Sequence, residues 1–452
     1  MTAPPDPADP AVIGGTAAAI ASSVAVPAAA SADIDEQEIH LFLLSGRLLL
    51  EYSQATPVVE RTLYALAANL GREIRITAGY RDLTIYLRCG DHFEGRVSRF
   101  APELKINMRM IAQVHELIRS LDLRQASMTA TIDALERLAE APPRVNRWHA
   151  AAMLGVAAAS LAGIFGGDVA CVLTAAFASG LGVLLRQELA RLRFNMFFMP
   201  FAAALLGALS GSLVILCGWT TTPDLCLLVP SLVLVPGVHM LNAAYDLFEN
   251  HMTMALARAA LSASMLVAIA FGLLLGSTAT GNHLPVSSAG ATISLPAALA
   301  FAALASAGFG VFFNVPLRLL WACVLCGVVA HAARSLGAGV GLDLAWATLL
   351  ASALVGVLTS LLRDRFNAPF AAIAFGAVVP LVPGALILRA ASGTVQLVAE
   401  GAAATPQKLV ETAVAGTHAL FVLVAIAVGL LTPVALVRRV PRSTKSRSAP
   451  LA

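Results

Sequence analysis

Charged side chains are scarce in this sequence. Only 13% of its 452 residues are Asp, Glu, Lys or Arg, whereas a soluble domain has roughly 25%. Hydrophobic residues make up 58% of the chain, and its mean hydropathy is +0.79. The composition excludes an ordinary soluble protein, a disordered chain and a disulfide scaffold. The formal net charge of +3 is too small to indicate a nucleic-acid partner.

Sequence motifs for catalysis, cofactors and metals are also missing. His115-Glu116 begins like a zinc-binding H-E-x-x-H helix, but position 119 is Arg. The chain has no glycine-rich phosphate loop and no G-x-S-x-G. Cys323 and Cys326 form a C-x-x-C without a second pair, and the six cysteines are interpreted as small apolar packing residues. We therefore expect no enzyme, no cofactor and no metal.

The amino-terminal stretch lacks the basic residues of a signal peptide. Residues 1–32 are rich in Ala, Pro and Ser, and the first basic residue of the chain is Arg47. A signal peptide needs a basic region ahead of its apolar stretch. The sequence therefore predicts a disordered tail over residues 1–32.

The charges that are present are concentrated in one part of the chain. Residues 33–147 carry 31 of the 57 charged residues, whereas residues 150–437 carry only 19. This division predicts a soluble domain over 33–143, a membrane part over 144–437 and a basic tail over 438–452.

The predicted soluble domain has the pattern of an α+β fold. Apolar residues recur at helical spacing as far as Leu70, and Thr56-Pro57 is interpreted as an N-cap followed by a proline in the first turn. No motif in this domain indicates chemistry, so we expect a structural, regulatory or assembly role. The later segments are strands over 73–78, 83–88 and 93–100 and helices over 102–121 and 123–140.

Hydropathy indicates about ten spans of adequate length in the membrane part. They cover residues 150–166, 169–185, 196–218, 225–241, 259–276, 295–313, 317–334, 344–362, 369–388 and 409–437. Basic residues such as Arg186 are concentrated on the side of the soluble domain, and Arg334 is among the few on the other side. The positive-inside rule therefore predicts a multi-pass membrane protein with both termini cytoplasmic. We expect the membrane to be the inner (plasma) membrane of the cell.

Two segments interrupt the apolar spans with prolines. Pro236-Gly237 interrupts the fourth span, and Pro380 and Pro383-Gly384 interrupt the ninth. Proline removes a backbone donor, and such backbone persists at membrane depth only when it is buried in protein or lines a wet cavity. Paired interruptions are a pointer to a transporter site. Two simple proline kinks are the alternative.

The positions of the two breaks suggest an internal repeat. Division of the membrane part into 144–290 and 291–437 gives five spans in each half, and each break then lies in a fourth span. An odd number of spans makes the second half run opposite to the first. The predicted fold is a polytopic α-helical membrane protein with about ten transmembrane helices as a 5+5 inverted repeat and a small N-terminal cytoplasmic α+β domain. The two breaks, at Pro236 and Pro383, should approach each other near the membrane midplane.

Polar residues after the first break are candidate site residues, because such residues are costly in a membrane. Asn242, Asp246 and Glu249 are spaced to share one helix face. Asp246 is the candidate proton-coupled carboxylate, with Arg258 as its partner. The alternative is that this face is only the solvated start of a loop.

Two more residues complete the predicted site. His239 is interpreted as a group that titrates near neutral pH or as a packing histidine. Arg389 is interpreted as the partner of a substrate carboxylate or as an interfacial anchor. The predicted substrate and proton path comprises Pro236, Gly237, His239, Asn242, Asp246, Glu249, Arg258, Pro380, Pro383, Gly384 and Arg389.

Four stretches carry a resemblance to a known family. They are Gly46-Arg47-Leu48-Leu49-Leu50-Glu51 with Ala55-Thr56 and Val59-Glu60, Arg96-Val97-Ser98-Arg99, Leu234-Val235-Pro236-Gly237 with Asn242 and Asp246-Leu247, and Val379-Pro380-Leu381-Val382-Pro383-Gly384. With these motifs the chain resembles the bacterial threonine/serine exporter family from about residue 36 onwards. The resemblance implies a cytoplasmic domain followed by ten spans, built from two modules that occur as separate proteins in some bacteria. In those split systems it implies dicarboxylate export.

The leading hypothesis is a secondary active transporter that exports threonine or serine, driven by the proton gradient because no ATP-binding loop is present. Export of a small dicarboxylate such as succinate is the alternative. A membrane-anchored sensor is the alternative from another class, and it predicts ligand binding by residues 33–143 alone. The expected partners are a small-molecule substrate, protons and the lipid bilayer. The oligomeric state stays open, with a homo-oligomer as one alternative.

Overall fold

A computed structural model describes residues 28–100, 105–121, 125–282, 293–366 and 368–439. Most of the predicted tail over 1–32 and of the basic tail over 438–452 lies outside these residues. Helix α1 begins at Ala28, ahead of the predicted domain boundary.

The N-terminal elements form a three-stranded antiparallel sheet that packs against helices. Their bounds are α1 Ala28–Glu51, α2 Thr56–Asn69, β1 Ile74–Ala78, β2 Asp82–Cys89, β3 His92–Arg99, α3 Met108–Ser120 and α4 Gln125–Glu140. The strand order is β1-β2-β3, with Ile76 opposite Ile85. Leu83, Ile85 and Leu87 are buried on one face of β2, because successive residues of a strand point to opposite faces, and β2 contacts α1. The strands lie where the sequence predicted them.

Helix α3 begins later than the sequence predicted. Its N-cap is Asn107, whose side chain accepts a hydrogen bond from the third residue of the helix at 3.1 Å. The start of α3 is also hydrogen-bonded to residues that follow α11. Met108 N donates to Phe313 O at 2.9 Å, and Asn314 Nδ2 donates to Asn107 Oδ1 at 2.9 Å.

The remainder of the described chain is helical. The helices are α5 Arg147–Ile164, α6 Val169–Arg191, α7 Phe198–Leu216, α8 Pro223–Leu232, α9 Gly237–Phe248, α10 Met252–Thr278, α11 Leu295–Phe312, α12 Leu317–Gly339, α13 Leu344–Phe366, α14 Phe370–Val378, α15 Gly384–Glu400 and α16 Pro406–Arg439. A 3-10 turn, Val379–Leu381, follows α14.

Seven helices of the described chain are long and apolar enough to cross a membrane: α6, α7, α10, α11, α12, α13 and α16. The pairs α8–α9 and α14–α15 pass the same test together, but they bend by 61° and 58°. The chain is therefore a polytopic membrane protein with up to nine such spans, counting each bent pair as one. The first predicted span corresponds to α5, which begins at Arg147 and is not among them. The count of ten stays a prediction.

The helices pack in corresponding pairs in the two halves of the membrane part. Helix α7 contacts α10 as α13 contacts α16, and α5 contacts α6 as α11 contacts α12. Helix α9 contacts α10 as α15 contacts α16. Across the halves, α10 contacts α15 and α16 contacts α9. Each bent pair is therefore held by the last helix of its own half and by the last helix of the other half.

Glycine allows a close crossing of α5 and α11. A Cβ placed on Gly308 of α11 would lie 2.5 Å from Met153 O of α5, so no side chain fits between the two backbones. Gly339, near the end of α12, is exposed, and no atom of the described residues lies within 4 Å of a Cβ placed on it.

These two glycines give a matched test of the helix packing. We expect Gly308→Ala to lower the free energy of unfolding by about 1–3 kcal/mol, because the added methyl forces the two helices apart. Gly339→Ala should change it by less than about 0.5 kcal/mol. Unfolding of the purified protein in detergent measures both values. Equal stability of the two variants would contradict the crossing.

Candidate functional site

The two bent pairs contain the same backbone turn. Pro236 has φ −77° and ψ 56°, and Pro383 has φ −77° and ψ 55°. The N–H of the following glycine donates to the carbonyl two residues earlier, at 2.8 Å for Gly237 and 2.7 Å for Gly384. This is an inverse γ-turn, which the fixed φ of proline favours. A new helix begins at each glycine.

The two turns contact each other. A Cβ placed on Gly237 would lie 3.3 Å from Val382 Cγ2 and 3.8 Å from Val382 Cβ. A Cβ placed on Gly384 would lie 3.6 Å from Leu232 Cδ2 of the first bent pair. These contacts confirm that the two breaks approach each other, whereas their position at the membrane midplane stays a prediction.

A cavity of about 190 Å³ lies between the two breaks, on the side of the N-terminal elements. This cavity, called the Arg186 cavity, is lined by residues 232–239 of the first break, by Gly384 of the second and by Arg186 of α6. Ile106, just before α3, also lines it. A water needs about 10–15 Å³ of such space, so the cavity has room for a small metabolite.

The Arg186 cavity has an unbalanced positive charge. Among the described residues, none forms a hydrogen bond or ion pair with the Arg186 guanidinium, and none of those that line the cavity is Asp or Glu. His239 also lines the cavity, is only 6% exposed, and leaves its Nδ1 without a hydrogen-bond partner in the described chain. The cavity therefore suits a negatively charged ligand.

A second cavity, of about 520 Å³, lies on the other face of the second break. This Arg334 cavity is lined by Arg334 and His331 of α12 and by Pro383. Arg334 Nη1 donates to Leu381 O at 3.3 Å, a carbonyl next to the break. Its described lining residues again include no Asp or Glu.

One thin layer separates the two cavities. The residues that line both are Phe165, Pro380, Val382 and Ala385. Three of these four belong to the second break, so the broken segment itself is the barrier. We call these four residues the partition.

Asp246 lines neither cavity and forms a buried ion pair. Arg258 Nη1 lies 2.5 Å from Asp246 Oδ2, and both side chains are fully buried. Asp246 Oδ1 also accepts a hydrogen bond from Thr56 N at 3.0 Å, and Arg258 Nη2 donates to Gln54 O at 2.9 Å. The structure thus brings the predicted pair together, but it ties the pair to the connection between α1 and α2.

The interpretation of Thr56 as an N-cap is wrong. The N-cap position of α2 is Ala55, whose side chain cannot accept a hydrogen bond, and Thr56 begins the helix. The Asp246 carboxylate, which is distant in sequence, accepts the Thr56 N–H instead. A carboxylate is favourable there because the N-terminal end of a helix carries partial positive charge.

The rest of the polar face of α9 also binds the N-terminal elements. Asn242 is 1% exposed and its Nδ2 donates to Ser53 O at 2.7 Å. Glu249 Oε1 lies 3.6 Å from Arg61 Nη1, and Arg61 Nη2 donates to Tyr245 OH at 2.6 Å. For Asn242 and Asp246 the alternative of a solvated loop face is therefore wrong.

Of the remaining predicted residues, six line one or both cavities and Arg389 lines neither. Pro236, Gly237 and His239 line the Arg186 cavity, and Pro380, Pro383 and Gly384 line one or both cavities. Arg389 is half-buried in α15, lines neither cavity and has Asp224 nearby.

Sequence reasoning did not single out Arg186 and Arg334 as site residues. It used both only as markers of topology. The overlooked signal is that each stands at the eighteenth position of its helix, in α6 and in α12.

A third cavity, of about 550 Å³, lies where α2 and α3 meet the start of α14. Arg61, His115, Arg119 and Arg363 are among its lining residues, so it is basic. Burial, reinforced by Arg119, lowers the pKa of His115 to about 4, so this imidazole is neutral at pH 7.

Comparison with known proteins identifies the class of this membrane protein. A family model described as "Putative threonine/serine exporter" matches residues 40–279, and a second, described as "Threonine/Serine exporter, ThrE", matches residues 298–436. Together they cover nearly all of the described chain. The protein belongs to the threonine/serine exporter family, a family of multi-pass inner-membrane transporters.

Individual relatives are more distant. The chain is 28% identical over 181 residues to the "Probable succinate transporter subunit YjjP" of Escherichia coli, which covers 39% of this chain and 68% of the relative. It is 24% identical over 257 residues to the protein of the same name from Klebsiella aerogenes, covering 55% of this chain and 97% of the relative. An uncharacterized protein of Haemophilus influenzae is 31% identical over 97 residues, 22% of this chain and 33% of that protein. No solved structure matches the chain.

The buried ion pair predicts a large loss of stability when one partner is removed. Asp246→Ala should lower the free energy of unfolding by about 3–5 kcal/mol, because it leaves Arg258 buried without its counter-charge. Glu249→Ala removes a carboxylate from the same helix, but this side chain is 42% exposed and the loss should stay below about 1 kcal/mol. Unfolding in detergent compares the two variants. If Asp246→Ala is no less stable than Glu249→Ala, the ion pair does not hold the N-terminal elements in place.

Proposed function

We propose that this protein is a secondary active transporter that exports small metabolites carrying a carboxylate group. One observation carries the proposal: two broken helices begin at a shared cavity that has an unpaired arginine and no acidic lining residue among those described. The N-terminal end of a helix has unpaired N–H groups and a partial positive charge, so α9 and α15 add to the attraction for an anion. Discontinuous helices with this arrangement are typical of secondary transporters.

The transport mechanism follows from an inverted repeat of five spans in each half. The matching turns at Pro236 and Pro383 support the repeat, as do the corresponding packing pairs of the two halves. With ten spans, both termini lie in the cytoplasm and the Arg186 cavity opens towards that side. Rocking of one half against the other would then expose the site to each side in turn.

Threonine and serine are the first substrates to test, because the chain belongs to their exporter family. A dicarboxylate such as succinate is the second candidate, and two relatives are named as probable succinate transporter subunits. The charge of the Arg186 cavity favours this second candidate. An amino acid is a zwitterion and needs a partner for its ammonium group, whereas the described lining offers no carboxylate.

Proton coupling is assigned to the Asp246–Arg258 pair. A proton on Asp246 would remove the charge that holds Arg258 and the Thr56 N–H, and so would loosen α9 from the N-terminal elements. Helix α9 begins at the first break, so such a change would reach the Arg186 cavity.

Proteoliposomes loaded with labelled substrate test the proposed function. We expect efflux of threonine, serine or succinate, and we expect an imposed pH gradient to change its rate. Vesicles without protein give the background. If none of the three substrates leaves faster than in those vesicles, the exporter proposal is wrong.

The coupling residue has its own test. Asp246→Asn cannot bind or release a proton, so efflux by this variant should no longer respond to the pH gradient. Glu116→Gln, which changes a 66% exposed carboxylate outside the predicted path, should respond like the unchanged protein. The assay is run at a temperature at which unfolding measurements show both variants to be folded. Intact coupling in Asp246→Asn would remove this residue from the proton path.

A further inference from the structure

Arg186 and Arg334 occupy equivalent places in the two halves of the membrane part. Each is the eighteenth residue of a 23-residue helix, and α6 contacts α8 as α12 contacts α14. Each lines a cavity next to a Pro-Gly break, and the partition separates the two cavities. The two arginines therefore lie on opposite sides of one barrier.

The two arginines differ in their partners. Arg334 donates to Leu381 O, two residues before Pro383. The equivalent carbonyl for Arg186 is that of Leu234, two residues before Pro236. No hydrogen bond joins Arg186 to it among the described residues, and the Arg186 Nε is buried without a partner. Only Arg334 is therefore bound to the backbone of its own break.

The surroundings of both arginines select for a carboxylate. Burying an unpaired charge is costly, and both arginines are half-buried in cavities whose described lining residues include no Asp or Glu. We therefore expect each to have an anionic ligand in the working protein. The planar guanidinium matches a carboxylate with two parallel hydrogen bonds. In each cavity a nearly buried histidine, His239 or His331 at 6% exposure, offers a ring nitrogen that has no partner in the described chain.

We infer that Arg186 and Arg334 are two repeat-related carboxylate-binding residues, one on each side of the partition, which bind the substrate in succession. This inference rests on the proposed transport function. In the described conformation Arg186 is ready to bind a carboxylate, whereas Arg334 is held by Leu381 O. Movement of the partition would carry the substrate to Arg334. There the substrate carboxylate would replace Leu381 O as the hydrogen-bond acceptor of Arg334.

Substitution of each arginine should affect binding from one side only. With labelled succinate or threonine offered on the face of the N-terminal elements, Arg186→Gln should raise KM at least about tenfold, the loss expected for charge-assisted hydrogen bonds. Arg334→Gln should do the same for substrate offered on the opposite face. Right-side-out and inverted membrane vesicles present the two faces. The control is Arg318→Gln, a 61% exposed arginine outside both cavities, which should keep the wild-type KM.

Stability separates a binding role from a structural one. Arg186 has no partner to lose in the part of the chain that the structure describes, so Arg186→Gln should unfold at the same temperature as the wild type or a higher one. Succinate should raise the unfolding temperature of the wild type and not that of Arg186→Gln. Arg186→Lys keeps the charge but not the paired hydrogen bonds, so its KM should lie between those of the wild type and Arg186→Gln.

Two outcomes would overturn the inference. One is an unchanged KM for both variants, with Arg186→Gln tested on the face of the N-terminal elements and Arg334→Gln on the opposite face. If the wild-type protein transports normally, this result leaves the proposed function intact. The other is a lower unfolding temperature for Arg186→Gln, which would indicate a structural role. Failure of the wild-type protein to transport any of the substrates is a different result, and it removes the proposed function together with the inference.

Discussion

The structure depends on the contact between two interrupted helices. A break in a membrane helix leaves backbone N–H and C=O groups that lipid cannot satisfy, so the broken segment must be enclosed by protein or by water. Here the two breaks enclose each other. Gly237 is small enough to contact Val382 directly. In each γ-turn the glycine N–H donates to a carbonyl of the same turn, so this donor is satisfied within the break. The helices that surround them and the two cavities beside them follow from this arrangement.

The N-terminal elements are coupled to that contact through one short helix. Helix α9 begins at the first break and reaches the buried pair of Asp246 and Arg258 within three turns. Asp246 replaces the missing cap of α2, and Asn242 binds the same connection. In the proposed mechanism, a change at this ion pair would therefore act on the helix whose first turn lines the Arg186 cavity.

Much of the fold could be predicted from the sequence, because strand alternation and apolar runs are local signals. The three strands, the apolar helices and both Pro-Gly breaks were found in this way. The Thr56 cap was wrong because the true acceptor, Asp246, is distant in sequence. Asp246 itself was predicted to lie on the path, but helical spacing could not show that its face contacts α2. The functional interest of Arg186 and Arg334 emerges only when the halves are compared helix by helix.

The most direct test of the account is a reversible cross-link between the two breaks. A Cβ on Gly237 would lie 3.8 Å from Val382 Cβ, which is the usual separation in a disulfide. Gly237→Cys with Val382→Cys, in a chain whose less buried Cys89 and Cys217 are replaced, should form a disulfide under mild oxidation. Transport should stop on oxidation and return on reduction. Absence of the cross-link, or unchanged transport by the cross-linked protein, would contradict the account.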